Sequence, residues 1–282
     1  MDEHSDSLYR AHQEFAQPPD SSVSIWRYCD VPKLISLLDK RALYFALAAT
    51  LEDQYEGGLP KVLLPREGVI EGSSMDVRNN LDLLEWLIRE QERRRYTTFL
   101  NCWHMNEHES PAMWRAYSHQ NQGVAIRSTF SRLTGSLRRD ADHAEVDVVY
   151  VGLVNYIDYA TEGFQPEKEF ASYLHKRKSF EYEREVRAVC RIKTNLEWHH
   201  LAPKEMARLH QTGMPIACDL DTLIEAIYIS PIAPPYFNEV VRAVCERFGL
   251  NKPVMPSSIL SLPPLAHPHF RAVLQELLNK TT

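Results

Sequence analysis

The chain of 282 residues is 44% hydrophobic and 25% charged, an ordinary globular composition that excludes wholesale disorder and low-complexity scaffolds. A formal net charge of -6 argues against broad nucleic-acid binding, which needs a basic footprint against phosphate. No apolar run approaches the roughly 18 residues of a membrane span. Residues 1–20 show neither a basic nor an apolar leader segment, so a cytoplasmic location is expected.

In chain order, residues 1–22 read as a mobile tail and residues 23–282 as a single α+β domain. The expected architecture is a central sheet, largely antiparallel or split, flanked by short helices. A strand is predicted over 23–28, followed by a helix that Asp30 caps and Pro32 opens, with Leu34, Ile35 and Leu38 on one face. ALYFALA reads as a buried strand, and the Gly- and Pro-rich stretch after it as a surface loop. Residues 77–95 carry helical periodicity that turns Leu81, Leu84, Leu87 and Ile88 inward. TTFLNCW is a strand, Ser110-Pro111 opens a short helix, and GVAIRS is a strand leading to a helix over 130–137. VDVVYVGLVNY is the longest β candidate, and residues 166–177 read as a helix. The end of the chain gives a strand at AIYIS, a proline-marked turn, a helix, a short strand at KPVMPSS and a last helix from about His269. The cysteines Cys29, Cys102, Cys190, Cys218 and Cys245 lack CxxC spacing and read as reduced thiols.

Three windows carry residues suited to chemistry. Arg27 sits between Trp26 and Tyr28, where a guanidinium flanked by rings can pair bidentately with a phosphate or carboxylate; the plain alternative is an edge-strand arginine with the rings packed inward. The second window gathers Trp103, Glu109, Ser110, Trp114 and Tyr117 around one turn, either a cleft with aromatic walls or a packing corner in which Ser110 only caps a helix. Within it, His104, Glu107 and His108 spell HxxEH, the pattern of a zinc metallopeptidase, but strand-like sequence and Pro111 leave little room for the helix that pattern requires. The third window, residues 176–187, would in extended form put Glu181, Glu183, Glu185 and Arg187 on one face. Clustered carboxylates raise one another's pKa unless a cation compensates, which suits a catalytic acid or base. Charge runs are also commonly solvated faces.

The segments IWRYCDVPKLISLLDKRALYFALAATLEDQYEG, CWHMNEHESPAMWRAYSHQNQGVAIRST, KRKSFEYEREVRAV and AIYISPIAPPYFNEVVRAVCERFGL resemble, in order and spacing, the "domain of unknown function 2971" family, mostly prokaryotic and largely uncharacterised. The resemblance spans about residues 24–260 and uses Cys102-Trp103, Glu109-Ser110, Trp114, Tyr117 and Gly123; the turn at residues 52–56 departs from the family's usual Asp-Pro-Phe-Glu type. In motif order the chain is also similar to ADP-ribosyltransferases, with Arg27 on a first strand, Ser128 or Thr129 on a middle strand, and Glu183 or Glu185 at the start of a late one. That similarity implies NAD as substrate, Glu183 and Glu185 as catalytic carboxylates, and Arg27, Trp103, Glu109, Ser110, Trp114, Tyr117 and Ser128 as its binding residues. The expected partner is a small anionic or nucleotide ligand, with no membrane and no metal. The alternatives are a non-catalytic ligand- or partner-binding module of a bacterial stress or defence system, and the zinc metallopeptidase.

Overall fold

The computed structural model describes residues 7–53, 55–63, 74–117, 121–140, 146–192, 212–261 and 268–281. Strand β1 (Ser24–Asp30) runs into helix α1 (Val31–Lys40), whose start is fixed by the Asp30 carboxylate accepting a hydrogen bond from the Lys33 N–H at 2.9 Å. Such a cap is worth about 1 kcal/mol. Arg41 takes a left-handed conformation, φ 47°, and turns the chain back into β2 (Ala42–Leu47). After α2 (Ser74–Arg95) come β3 (Thr98–Met105), α3 (Pro111–Tyr117), β4 (Gly123–Thr129) and α4 (Phe130–Ser136). The second half adds β5 (Val149–Leu153), β6 (Asn155–Ile157), α5 (Ala171–Leu174), β7 (His175–Arg177), a 3-10 turn (Lys178–Glu183) and β8 (Glu185–Arg191). It ends with β9 (Gly213–Ala217), α6 (Leu220–Leu223), β10 (Ala226–Ile229), α7 (Pro235–Arg247), β11 (Val254–Pro256) and α8 (Pro268–Thr281).

The fold is α+β: a large sheet ordered β11-β10-β4-β1-β3-β2-β9, with β8 also on β3 and β5 on β8. Its described pairings are antiparallel except β10 with β11; β6 and β7 form a separate parallel pair. The decisive feature is that β3 shares one edge between two strands. Its other edge pairs with β8 continuously, from Thr98 opposite Arg191 to His104 opposite Glu185. On the shared edge, β2 meets only Phe99 and Leu100, and β1 meets only His104 and Met105. Residues 101–103 therefore have no strand partner on that side, and the sheet is split there. A buried strand edge must satisfy its polar groups in another way. Here the Arg27 guanidinium donates to the Cys102 carbonyl at 3.0 Å, and Asn101 Nδ2 donates to the Tyr44 carbonyl at 2.9 Å.

The principal core lies on one face of this sheet. It joins Ile25, Phe45, Phe99, Trp103, Ile126 and Val186 to Leu34, Leu37 and Leu38 of α1 and to Phe237 and Val241 of α7. Leu37 rather than the expected Ile35 completes the inner face of α1; Ile35 is exposed. Ile88 is also exposed, because the apolar stripe read from residues 77–95 does not fall wholly on an inner face; Leu81, Leu84 and Leu87 lie outside the described side chains. The helix expected over 166–177 is confined to α5. Phe170, Tyr173 and Leu174 bury in a small cluster with Phe15 and Val189, and His175 onward pairs with β6 instead. From Ser7 the segment expected to be a mobile tail is anchored: Leu8 and Phe15 are buried, and the Leu8 carbonyl accepts from the Val149 N–H at 2.9 Å. Among the described residues, no helix is long and apolar enough to cross a membrane.

Candidate functional site

A cavity of about 630 Å³ opens at the split in the sheet. Because the split interrupts the sheet, residues from both faces reach it. Strand alternation sends Trp26 and Tyr28 to one side, where they pack with Met113, Trp114 and Ala125 beneath α3. Arg27 points to the other side, toward Ile126 and α1, so the arginine and its neighbouring rings do not make the flat surface the sequence suggested. The Arg27 guanidinium lies 6.0 Å from the centre of the Trp103 ring. Burial lowers its pKa, and among the described residues no carboxylate forms an ion pair with it. A half-buried guanidinium with donors to spare and no counter-charge has the chemistry to hold an anion.

An acidic cluster also lines the cavity. Glu183 ends the 3-10 turn, Arg184 reverses the chain at φ 41°, and Glu185 opens β8. The turn removes Glu181 from the expected row and brings Glu183 and Glu185 together. Lys176 of β7 donates to both, at 2.5 Å and 2.8 Å, and lies 3.1 Å from Glu56. Arg187, fully buried, donates twice to Glu185 Oε2, at 2.9 Å and 2.6 Å, and once to the Tyr173 carbonyl. Its Nη2 also lies 2.9 Å from Glu56 Oε2, as an ion pair without good hydrogen-bond alignment. Glu56 arrives on the loop after β2, which is latched by the Asp53–Arg177 ion pair at 2.9 Å and by the Gly57 N–H donating to Ser172.

Three carboxylates thus face two cations, and the pair at the cavity wall divides the consequences. Burial and hydrogen bonding to Glu185 push Glu183 up to about 7, against the pull of Lys176. Burial would raise Glu185 too, but the positive charges of Arg187 and Lys176 outweigh it and hold that carboxyl well below the usual range. One member of the pair stays ionised while the other exchanges a proton near neutrality, an asymmetry found where carboxylates act in acid–base chemistry. Burial pushes the nearby Cys102 thiol up to about 12 and raises Tyr117 as well, so neither is ionised at neutral pH.

Of the expected catalytic and binding residues, Arg27, Trp103, Tyr117, Glu183 and Glu185 line this one cavity. Glu109, Ser110, Trp114 and Ser128 do not. Trp114 Nε1 donates to Glu109 at 2.9 Å, which holds the turn against α3, and Ser110 receives the Met113 N–H and donates its own to Tyr28. Ser128 is a correction: its buried hydroxyl donates to the Leu223 carbonyl at 2.5 Å, so it ties β4 to α6 and stands away from the cavity. Thr129, its sequence neighbour, caps α4. His104 lies in β3 and His108 in the exposed turn after it, so no helix carries both as HxxEH requires; among the described residues no group of three metal-ligating side chains is arranged to hold an ion. The sequence reading placed Arg187 beside the glutamates as a compensating cation but gave Glu56 and Lys176 no part in the site. The unusual Glu-rich turn at residues 52–56 was the one signal that could have drawn attention to Glu56.

A split, mostly antiparallel sheet with a largely apolar cleft that carries a few charged groups is the class of structure this chain presents. The family model described as "Protein of unknown function (DUF2971)" matches residues 113–188, from α3 into β8. The chain resembles that family over this stretch, which is narrower than the span expected from the motifs and less than half of the chain. No curated protein matches. Among solved structures, the chain is similar to Thermus sp. 2.9 DarT in complex with NAD+, at 11% identity over 86% of this chain and 98% of that one, TM-score 0.35. It is similar to the same protein in complex with ADP-ribosylated ssDNA at 12% identity over 86% and 96%, TM-score 0.37.

Proposed function

We propose that the cavity binds nicotinamide adenine dinucleotide and that the chain is an ADP-ribosyltransferase-like enzyme or NAD glycohydrolase. The observation that carries this reading is the pairing, across one cavity, of an uncompensated guanidinium with a carboxylate pair split in protonation. The cavity volume falls within the roughly 300–1,000 Å³ of small-molecule and cofactor sites. Arg27 suits the pyrophosphate, and the exposed Tyr117 offers a ring for the nicotinamide.

The chemistry then follows. The bond between ribose C1′ and the nicotinamide ring nitrogen breaks, and its electron pair returns to that nitrogen, so a neutral nicotinamide leaves without needing a proton. The ribose is left with oxocarbenium character, which the ionised Glu185 stabilises across a site of low dielectric. Glu185 Oε2 accepts from Arg187 and Oε1 from Lys176, and Glu183 is hydrogen-bonded to the same carboxylate, which fixes its position beside the ribose. When ionised, Glu183 takes the proton of the acceptor hydroxyl as its oxygen bonds to C1′.

One observation favours a second reading, a non-catalytic module that holds a nucleotide without turning it over: Lys176 and Arg187 already neutralise Glu185. Release of nicotinamide from NAD+ by the purified chain separates the two. The enzyme reading predicts release that falls by at least about a hundredfold in Glu185→Gln, in line with loss of a group that stabilises transition-state charge. Binding with no release in the wild type selects the module.

A further inference from the structure

The acidic cluster holds one carboxylate more than it holds cations. Glu56, Glu183 and Glu185 are all buried, and they share Lys176 and Arg187, both of which nearby carboxylates keep charged. Net charge is costly to bury, so a cluster of this kind reaches balance by holding one proton. The contacts decide which carboxyl holds it. Glu185 accepts three hydrogen bonds from the two cations, and Glu56 lies 3.1 Å from Lys176 and 2.9 Å from Arg187. Among the described residues, Glu183 meets a single cation, Lys176. Glu183 and Glu185 line the cavity, whereas Glu56 does not, and it has no part in the transfer chemistry.

We propose that Glu56 is a positioning residue: through Lys176 and Arg187 it supplies the surplus negative charge, so that the cluster is balanced when Glu183 carries a proton at the cavity wall. The other titratable groups around the pair add no charge at neutral pH. Burial raises Tyr117 of α3, Tyr156 of β6, Tyr159 beyond it and Tyr182 of the 3-10 turn, and it lowers His104 of β3. It also pushes the Cys102 thiol up to about 12. Of the cations nearby, Arg27 and Arg184 donate to the Cys102 carbonyl and to Asn106, and Arg177 is paired with Asp53. The excess therefore belongs to Glu56, which the loop after β2 brings to the cluster. With that charge removed, two carboxylates face two cations, and an ionised Glu183 completes the balance. An opposite charge within ~4–6 Å lowers a carboxyl by about 1–3 units, and the loss of Glu56 leaves more of Lys176 to act on Glu183.

The test is a carbon-13 titration, by nuclear magnetic resonance, of the full chain labelled at its glutamate carboxyl carbons. In the wild type one buried carboxyl should titrate near about 7, and Glu183→Gln should remove that signal. Glu56→Gln, which keeps the shape and loses the charge, should lower the inflection by about one pH unit or more. Glu56→Asp, which keeps the charge and loses a methylene, should leave it closer to the wild-type value than Glu56→Gln does. An inflection that Glu56→Gln leaves in place, or that the two variants move equally, overturns the proposal and makes Glu56 a packing residue. Should the variants fail to fold, the wild type decides by itself: no buried carboxyl titrating between about pH 6 and pH 8, or more than one, overturns it. The proposal concerns the site of the dinucleotide reading, but no ligand enters the titration. A chain that releases no nicotinamide leaves the role of Glu56 standing, and an unmoved inflection leaves dinucleotide binding standing.

Discussion

Replacing Lys176 with methionine tests whether the acidic cluster at the cavity is held together by charge. The Lys176 ammonium touches Glu56, Glu183 and Glu185, all within 3.1 Å, and is 6% exposed. Methionine fills much of the same volume, so the change removes a charge with little loss of packing. Three carboxylates would then face Arg187 alone. Removing one partner from a buried ion network costs about 3–5 kcal/mol, or roughly 6–20 °C in Tm at ~2–4 °C per kcal/mol. The sign with pH follows from linkage. Without Lys176 the folded-state carboxyl pKa values rise above their unfolded values, so the folded variant favours protonation and its stability is lost as pH rises. Its deficit against the wild type should therefore be largest near pH 8 and shrink toward pH 5 by ~1.4 kcal/mol per pH unit for each extra proton held. Urea unfolding of both proteins at several pH values measures this. A deficit that does not change between pH 5 and pH 8 would refute the reasoning and make Lys176 a packing residue.

If Glu183 is the base, kcat/KM for nicotinamide release should climb as pH rises toward about 7 and level off above it, because the carboxyl must be ionised to take the acceptor's proton; Glu183→Gln should erase that inflection in a pH–rate profile. Ser128→Ala should leave ligand affinity within about twofold while costing ~1–3 kcal/mol of unfolding free energy by leaving the Leu223 carbonyl short of a donor, as titration and urea melts would report. Gly57 adopts φ 76°, and a Cβ there would meet the Tyr173 ring at 2.9 Å. Gly57→Ala should thus destabilise the fold by ~1–3 kcal/mol and pull Glu56 off Arg187, an effect visible in thermal melts.

The parts of the molecule legible in the sequence are those set by local rules. Asp30 and Pro32 marked the start of α1, Ser110-Pro111 that of α3, and short apolar runs marked β2, β4 and β10. The convergence of Arg27, Trp103, Tyr117, Glu183 and Glu185 was foreshadowed only through their order along the chain. What local rules leave open is pairing between distant strands. The split exists because β1 and β2 share one edge of β3, and nothing within either strand specifies how far each pairing runs. Lys176 was hidden by a helical reading of residues 166–177, since its place in β7 depends on pairing with β6. Ser128 shares a face with Arg27 by alternation, yet α6 covers its end of β4 and takes its hydroxyl.

The central claim is that an uncompensated guanidinium at the split holds the anionic part of a dinucleotide. Calorimetric titration of NAD+ into the wild type and into Arg27→Met tests it most directly. The account predicts saturable binding at one site per chain, weakened about ten- to a hundredfold in the variant by loss of charge-assisted hydrogen bonds. Absence of binding to the wild type, or equal affinity in the two proteins, would contradict it.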